Sequence, residues 1–448
     1  MNKLFFFILF LPLFTNAQSR KEVKLIHQKQ LDFQAEKDAR YNNSITRFHN
    51  FLKEKNPENY HRIIEEAKAD SLADIKNRKE KELLYTQLLD TLDRNTSKIR
   101  LDYSSCSELP ESLTYFENLD TLVFTDHQLN SSNKVLKGLK NLKYLDLSKN
   151  NFSGKRLKLY KLKHLEYLDL SDCNLERLPK NLRRLKNLKT LILSNNPLQS
   201  TKGIQKLKKL ESLNLNKTVL PLDPYSICKL KNLKKLNMNE CELLEIPTKI
   251  ESLKNIESLV LAKNRISSIP DELGSLKRIN HIILYQNEIE QIPDSFYQLT
   301  QLKEFDIYHN NIQTISNKIG QLHNLHTLYL SFNKIKDLPI ELQQLTELEK
   351  LYLHHNQIEF IFDLSSLENL KVLHLQNNQL DTFPNSILKL EQLVDLDLSN
   401  NKITFFPEKL NDLSNLEMVN LSENMVEFEE DYREKFKSLK QQGVNVNL

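Results

Sequence analysis

Glycine is scarce in this chain. Six occur in 448 residues, at positions 138, 154, 203, 274, 320 and 443, too scattered to build a phosphate-cradling loop. Nucleophile-elbow and zinc-protease patterns are missing too. Acid–base pairs could meet on a surface, but no spacing selects one. Catalysis is therefore not expected, and neither is a cofactor. Cysteine is nearly as rare, with four in all. Beyond residue 14 no run is apolar enough to span a bilayer.

What is present is a repeat. From about Thr96 to the end, the chain returns to the same pattern, L-x-x-L-x-L-x-x-N-x-L-x-x-L-P-x-x-L-x-x-L. Its first apolar position recurs at Leu119, Leu142, Leu165, Leu188, Leu210, Leu233, Ile256, Ile279, Leu302, Leu325, Leu348, Leu370, Leu393 and Leu416. A degenerate copy precedes these at Thr96. Counted from there, twelve of the steps are 23 residues and two, after Leu188 and Leu348, are 22. Leu at positions 4 and 6 alternates as one face of a short strand. Position 9, where the chain must turn, is Asn in ten copies from Asn150 to Asn424, with His127, Cys173, Thr218 and Cys241 as substitutes. Such an amide can satisfy backbone groups that the strand-to-loop bend leaves open. One coil cannot bury its apolar face alone, so coils must stack and be capped at both ends.

This period and core resemble the leucine-rich repeats, in the Leu-Pro variant of Ras-pathway scaffolds and plant disease-resistance receptors. The resemblance implies an α/β solenoid with a curved parallel β-sheet on the concave face and helical or extended returns on the convex face. It also implies a recognition surface, not an enzyme. The repeat domain is expected over residues 96–438, with residues 439–448 as a capping strand in which Val444, Val446 and Leu448 alternate. Residues 431–442 look like a last amphipathic helix.

Residues 1–17 resemble a bacterial signal peptide: a Lys at position 3, an apolar stretch from Leu4 to Phe14, and a small residue, Ala17, before the cut. No Cys follows, so a lipoprotein anchor is not expected. The mature protein is read as soluble and monomeric, periplasmic or secreted, with no transmembrane anchor. Residues 18–95 lack the repeat. Asn56-Pro57 suits a helix start, and Leu83, Leu84, Leu88, Leu89 and Leu92 continue an apolar stripe. We read this region as a helical N-terminal cap, with a separate partner-binding module as the alternative. A secreted chain invites disulfides. However, Cys173 and Cys241 lie three coils apart, roughly 14 Å at about 4.8 Å per coil. All four thiols, Cys106, Cys173, Cys228 and Cys241, are expected to be buried, free and apolar in behaviour.

Charge is unevenly spread. Residues 134–240 hold 25 Lys/Arg against 8 Asp/Glu, a net +17, whereas residues 241–448 hold 19 against 31, a net −12. Lys158, Lys161, Lys163, Arg183, Arg184, Lys186, Lys206, Lys208 and Lys209 fall in the outer return. They form a basic ridge that could meet an anionic envelope surface. Secretion counts against nucleic acid as the main partner.

Positions 3, 5 and 7 of each copy should point away from the core, with position 8 beside them. From the copy at Ile279 to that at Leu370 these columns collect His281, Tyr285, Tyr308, His309, Tyr329, Phe332, Tyr352, His354, His355 and His374. Exposed aromatics on a rigid scaffold are the usual anchors of an interface. These ten are the candidate site for a protein or glycan ligand. No Cys or paired carboxylate completes a metal set with the histidines. Earlier copies are polar at the same positions (Asn214, Asn216, Asn237, Asn239), and before them stand Tyr144, Tyr167, Asp146 and Asp169.

Overall fold

The computed structural model describes residues 87–102, 108–127, 129, 133–153, 157, 159–218, 224–426 and 436–447. All of these belong to one unit, Arg78–Leu448. Residues 1–17, expected to be a signal peptide, most of the region 18–95, Cys106, Lys158 and residues 427–435 lie outside them.

Each copy makes one coil. Leucines two apart in a stretch with out–in–out alternation form a short strand. Sixteen of these strands, β1 (Lys98–Asp102) to β16 (Asn445–Asn447), pair in parallel and in sequence order as one open sheet. The pairing offset equals the repeat. In the middle of the sheet β9 (His281–Ile283), β10 (Glu304–Asp306), β11 (Thr327–Tyr329), β12 (Lys350–Tyr352), β13 (Val372–His374) and β14 (Asp395–Asp397) stack with like positions facing like. The central residue of each strand is buried and its two neighbours are partly exposed, apart from Lys350, which is exposed. Ile282, Phe305, Leu328, Leu351, Leu373 and Leu396 thus run through one continuous core. Truncating one of them to Ala would cost about 2–5 kcal/mol. Before the first strand, residues 87–90 are helical, Leu89 is buried, and Leu88 and Leu92 pack on the core.

The returns are mostly single 3-10 turns. Pro247, Pro270, Pro293, Pro339, Pro384 and Pro407 each precede one. A ring that fixes φ and carries no N–H loses nothing at a turn's start. Where Ser316 replaces Pro, its hydroxyl accepts a bond from the Lys318 amide at 3.3 Å. Neighbouring returns are tightly apposed. A Cβ at Gly274 would run into the Ser295 carbonyl.

The Asn ladder forms as the spacing requires. Asn310 is typical: its Nδ2 donates to the Leu284 carbonyl of the preceding coil at 3.0 Å and to Ile307 of its own at 3.1 Å. Its Oδ1 accepts from the Ile289 amide at 3.0 Å. The substitutes keep part of this pattern. Cys173 and Cys241 donate their thiols to Leu147 and Leu215 carbonyls at 3.1 Å each, and His127 Nε2 lies 3.0 Å from Leu101 O. Cys173, Cys228 and Cys241 are free and buried. The expectation that these thiols behave only as apolar filler is thus corrected: two of them are ladder donors. Burial pushes both of those thiols up, Cys241 to about 11.

A second ladder, which the 23-residue pattern does not mark, runs beside the first. The residue before many anchors is also Asn, and its Nδ2 caps a carbonyl of the preceding return. Asn141, Asn187, Asn232, Asn255, Asn324, Asn369 and Asn415 bond Glu117, Lys163, Lys208, Lys231, Thr300, Thr346 and Glu391 at 2.7–2.9 Å. Among the described residues no helix is long and apolar enough to cross a membrane.

Candidate functional site

The sheet face opposite the core carries the candidate side chains because the pleat sends positions 3 and 5 outward. Position 8 gets there differently. In every one of the fourteen copies it has positive φ, including His309 (54°), Phe332 (54°) and His355 (55°). That left-handed turn swings the chain off the sheet and lifts the side chain onto the same face. Asn and Asp tolerate it; a bulky L-residue pays about 1–2 kcal/mol.

Eight of the ten candidates form one network of ring contacts. Tyr329 and Tyr352 stack at 4.7 Å between centroids with planes 5° apart. Tyr352 meets His374 edge-on at 5.1 Å. His374 lies 6.3 Å from His354, and His354 lies 5.3 Å from both Phe332 and His355. Along position 8, His309, Phe332 and His355 are parallel within 11°, with centroid steps of 5.9 and 3.9 Å. Tyr308 joins through Phe332 at 5.1 Å and through His354 at 6.4 Å. His281 and Tyr285 stand outside this network. His281 instead pairs with Glu304, Nδ1 to Oε2 at 3.0 Å. Tyr352 is faced by Tyr329 and met edge-on by His374, and Phe332 and His355 cover one face of each other.

The network's charge is set by burial and acids at its margins. Burial, helped by the neighbouring imidazoles His355 and His374, pushes His354 down to about 4. His355 is also lowered by burial. Both are therefore neutral at pH 7, consistent with their Nδ1 atoms lying 3.0 Å apart, one donating and one accepting. His374 Nε2 contacts Asp395 Oδ2 at 2.9 Å. On the opposite margin burial raises Asp306 to about 6, although its carboxylate accepts the Tyr308 amide at 3.0 Å.

The other sequence features lie elsewhere. Tyr144 and Tyr167 stack at 4.1 Å on the same sheet face, beside Asp146 and Asp169. Burial raises Asp169, with Asp146 adding to it. On the outer returns Lys161, Lys163, Arg183, Arg184, Lys186, Lys206, Lys208 and Lys209 are all exposed. Arg184 and Lys161 lie over the Tyr160 ring at 5.5 and 5.8 Å.

Comparison with known proteins agrees with this architecture. Leucine-rich repeat family models match residues 254–312 and 300–358, a two-copy model matches 346–389, and single-repeat models match 141–159, 164–185 and 392–413. No curated protein matches by sequence. Among solved structures, a leucine-rich repeat protein of Leptospira interrogans is 29% identical, with 78% of this chain and 100% of that one covered and a TM-score of 0.59. An internalin of Listeria monocytogenes is 25% identical over 75% and 92% of the two chains, TM-score 0.59. The ectodomain of the Arabidopsis receptor kinase HAESA, solved with a peptide hormone, is 25% identical over 73% and 58%, TM-score 0.60.

Proposed function

We propose that this chain, a leucine-rich repeat protein, recognises a protein ligand through the concave sheet face of its C-terminal half, with Tyr329, Tyr352, His354 and His374 at the centre and no chemistry of its own. The observation that carries this reading is Phe332. It holds φ at 54°, where an aromatic side chain is strained, while the same position two and three coils on holds Asn377 and Asn400. The other eleven copies fill this position with Asn, Asp, Lys, Glu or Gln, and only His309, Phe332 and His355 set rings there, on consecutive coils. The rings inside the stacks offer edges and hydrogen-bonding atoms more than free faces. That suits a polypeptide better than a glycan, which seeks an open ring face to stack on. HAESA was solved with a peptide ligand, which supports a polypeptide partner for this kind of scaffold. Release from the cell fits the signal-like residues 1–17.

The test is capture of extracellular or surface proteins by the full chain and by the triple variant Tyr329→Ala/Tyr352→Ala/His374→Ala, followed by affinity measurement on purified hits. The triple variant is expected to lose at least tenfold in affinity while keeping its circular dichroism spectrum. A partner that binds both forms equally would place recognition elsewhere and overturn the reading.

A further inference from the structure

The residue two before each anchor is Lys in seven consecutive coils: Lys140, Lys163, Lys186, Lys208, Lys231, Lys254 and Lys277. All seven are exposed. Because the coils stack in register, they form one line with a charge at every coil, about 4.8 Å apart. A second line runs beside it, two residues earlier in each coil: Lys161, Arg184, Lys206 and Lys229, also exposed. The carbonyls of Lys163, Lys208 and Lys231 are capped by the second Asn ladder, which fixes the backbone under the line.

Like charges at this spacing repel, and the chain avoids the arrangement where it is not wanted. The residue just after the anchor alternates Lys143, Glu166, Lys189, Glu211, Lys234, Glu257. There the charges pair, Lys189 with Glu166 at 2.7 Å and Lys234 with Glu211 at 2.9 Å. Among the described residues none of the seven lysines has a carboxylate within ion-pair distance. At the end of the line, burial and the charge of Lys254 push the Lys277 ammonium below its ordinary range.

We propose that this double line of cations is a second binding surface, separate from the sheet face, and that its ligand is a linear anionic polysaccharide lying along the stacked returns. A pyranose unit advances a glycan by about one coil spacing, so a chain with regularly placed carboxylates or sulfates meets a cation at each step. A membrane surface fits less well. Apolar anchors normally accompany cations at a bilayer, and among the described residues Leu244 is the one exposed large apolar side chain between Lys140 and Lys277. Single-stranded nucleic acid needs ring faces for its bases, and the Tyr160 ring beside the lines is already covered by Arg184 and Lys161.

The test compares binding of the full chain to heparin, neutral dextran, a single-stranded oligonucleotide and vesicles containing anionic lipid, from 50 to 500 mM salt. Heparin is expected to bind tightest, weakening more than tenfold between 50 and 200 mM salt, with no binding to dextran. Lys186→Ser/Lys208→Ser/Lys231→Ser should weaken heparin binding at least tenfold. Lys303→Ser/Lys334→Ser/Lys350→Ser, with the same change in net charge, should weaken it less than threefold. Equal losses in the two variants, or oligonucleotide or vesicles binding as tightly as heparin, would overturn the proposal. The Tyr329/Tyr352/His374 alanine triple should bind heparin as the parent does; its failure to do so would move the glycan site off the returns.

Discussion

Tyr308 and His354 stand two coils apart, yet their ring centroids are 6.4 Å from each other. They close over Ser331, the one small residue of that column between them, which is fully buried and whose hydroxyl has no hydrogen-bond partner. A position that faces outward by the pleat is thus roofed by its neighbours. An unpaired buried hydroxyl costs about 1–3 kcal/mol. Ser331→Ala is therefore expected to leave stability unchanged or raise it by about 1 kcal/mol, read as an unchanged or higher urea midpoint. A fall of more than about 1 kcal/mol would mean that the hydroxyl is satisfied in solution.

Phe332 should show a trade between folding and binding. Phe332→Asn relieves the left-handed strain, worth about 1–2 kcal/mol, but loses the stack on His355 and the edge contacts with Tyr308 and His354. The expected result is a thermal midpoint within a few degrees of the parent and a partner affinity lowered at least tenfold. Lower stability with intact affinity would contradict the role given to this ring.

Asp306 and His354 respond to acid in opposite directions. Asp306 is raised to about 6, so between pH 4 and 6 the folded state holds the proton that the unfolded state has released. Its carboxyl therefore destabilises the fold as pH rises through that window. Asp306→Asn should gain on the order of 2 kcal/mol over the parent at pH 7 and nothing at pH 4. His354 is lowered to about 4, so between pH 6.5 and 4 the unfolded state takes up the proton first, and the fold loses stability as pH falls. His354→Gln should flatten that acid loss. Urea titrations at pH 4, 5, 6 and 7 separate the two; parallel curves for parent and variants would refute both assignments.

The two Asn ladders should differ in weight. Asn310→Ala strands the buried Ile289 amide and removes one of the two Asn bonds to each of the Leu284 and Ile307 carbonyls, which keep Asn287 and Asn333, a loss of about 2–3 kcal/mol. Asn324→Ala removes one exposed bond, to the Thr300 carbonyl at 2.7 Å, and should cost about 0.5–1 kcal/mol. Urea midpoints of the two variants side by side check the order.

The legible part of this protein is the part that repeats. The 23-residue step gives strand, core face and Asn turn, because each position has one physical job and the job recurs until it is unmistakable. The outward columns followed by subtraction, and they did contain the rings that meet: Tyr329 on Tyr352, Phe332 on His355. The second Asn ladder is equally periodic, but Asn before an apolar anchor reads along the chain as ordinary loop polarity. The lysine line was blurred for a similar reason. Read along the chain, Lys163, Lys186 and Lys208 are scattered cations in Lys-x-Leu alternation; only stacking puts them side by side.

The sequence by itself determined which residues are buried and which face outward, because period and hydrophobicity decide that locally. Tertiary structure decided what the outward residues become. It set position 8 in the left-handed region so that His309, Phe332 and His355 align, roofed Ser331 with rings from the coils on either side, and turned one lysine per coil into a row with no carboxylate partner among the described residues. These follow from the contact of residues 22 or 23 apart, a distance at which a linear chain has neighbours only after its coils have stacked.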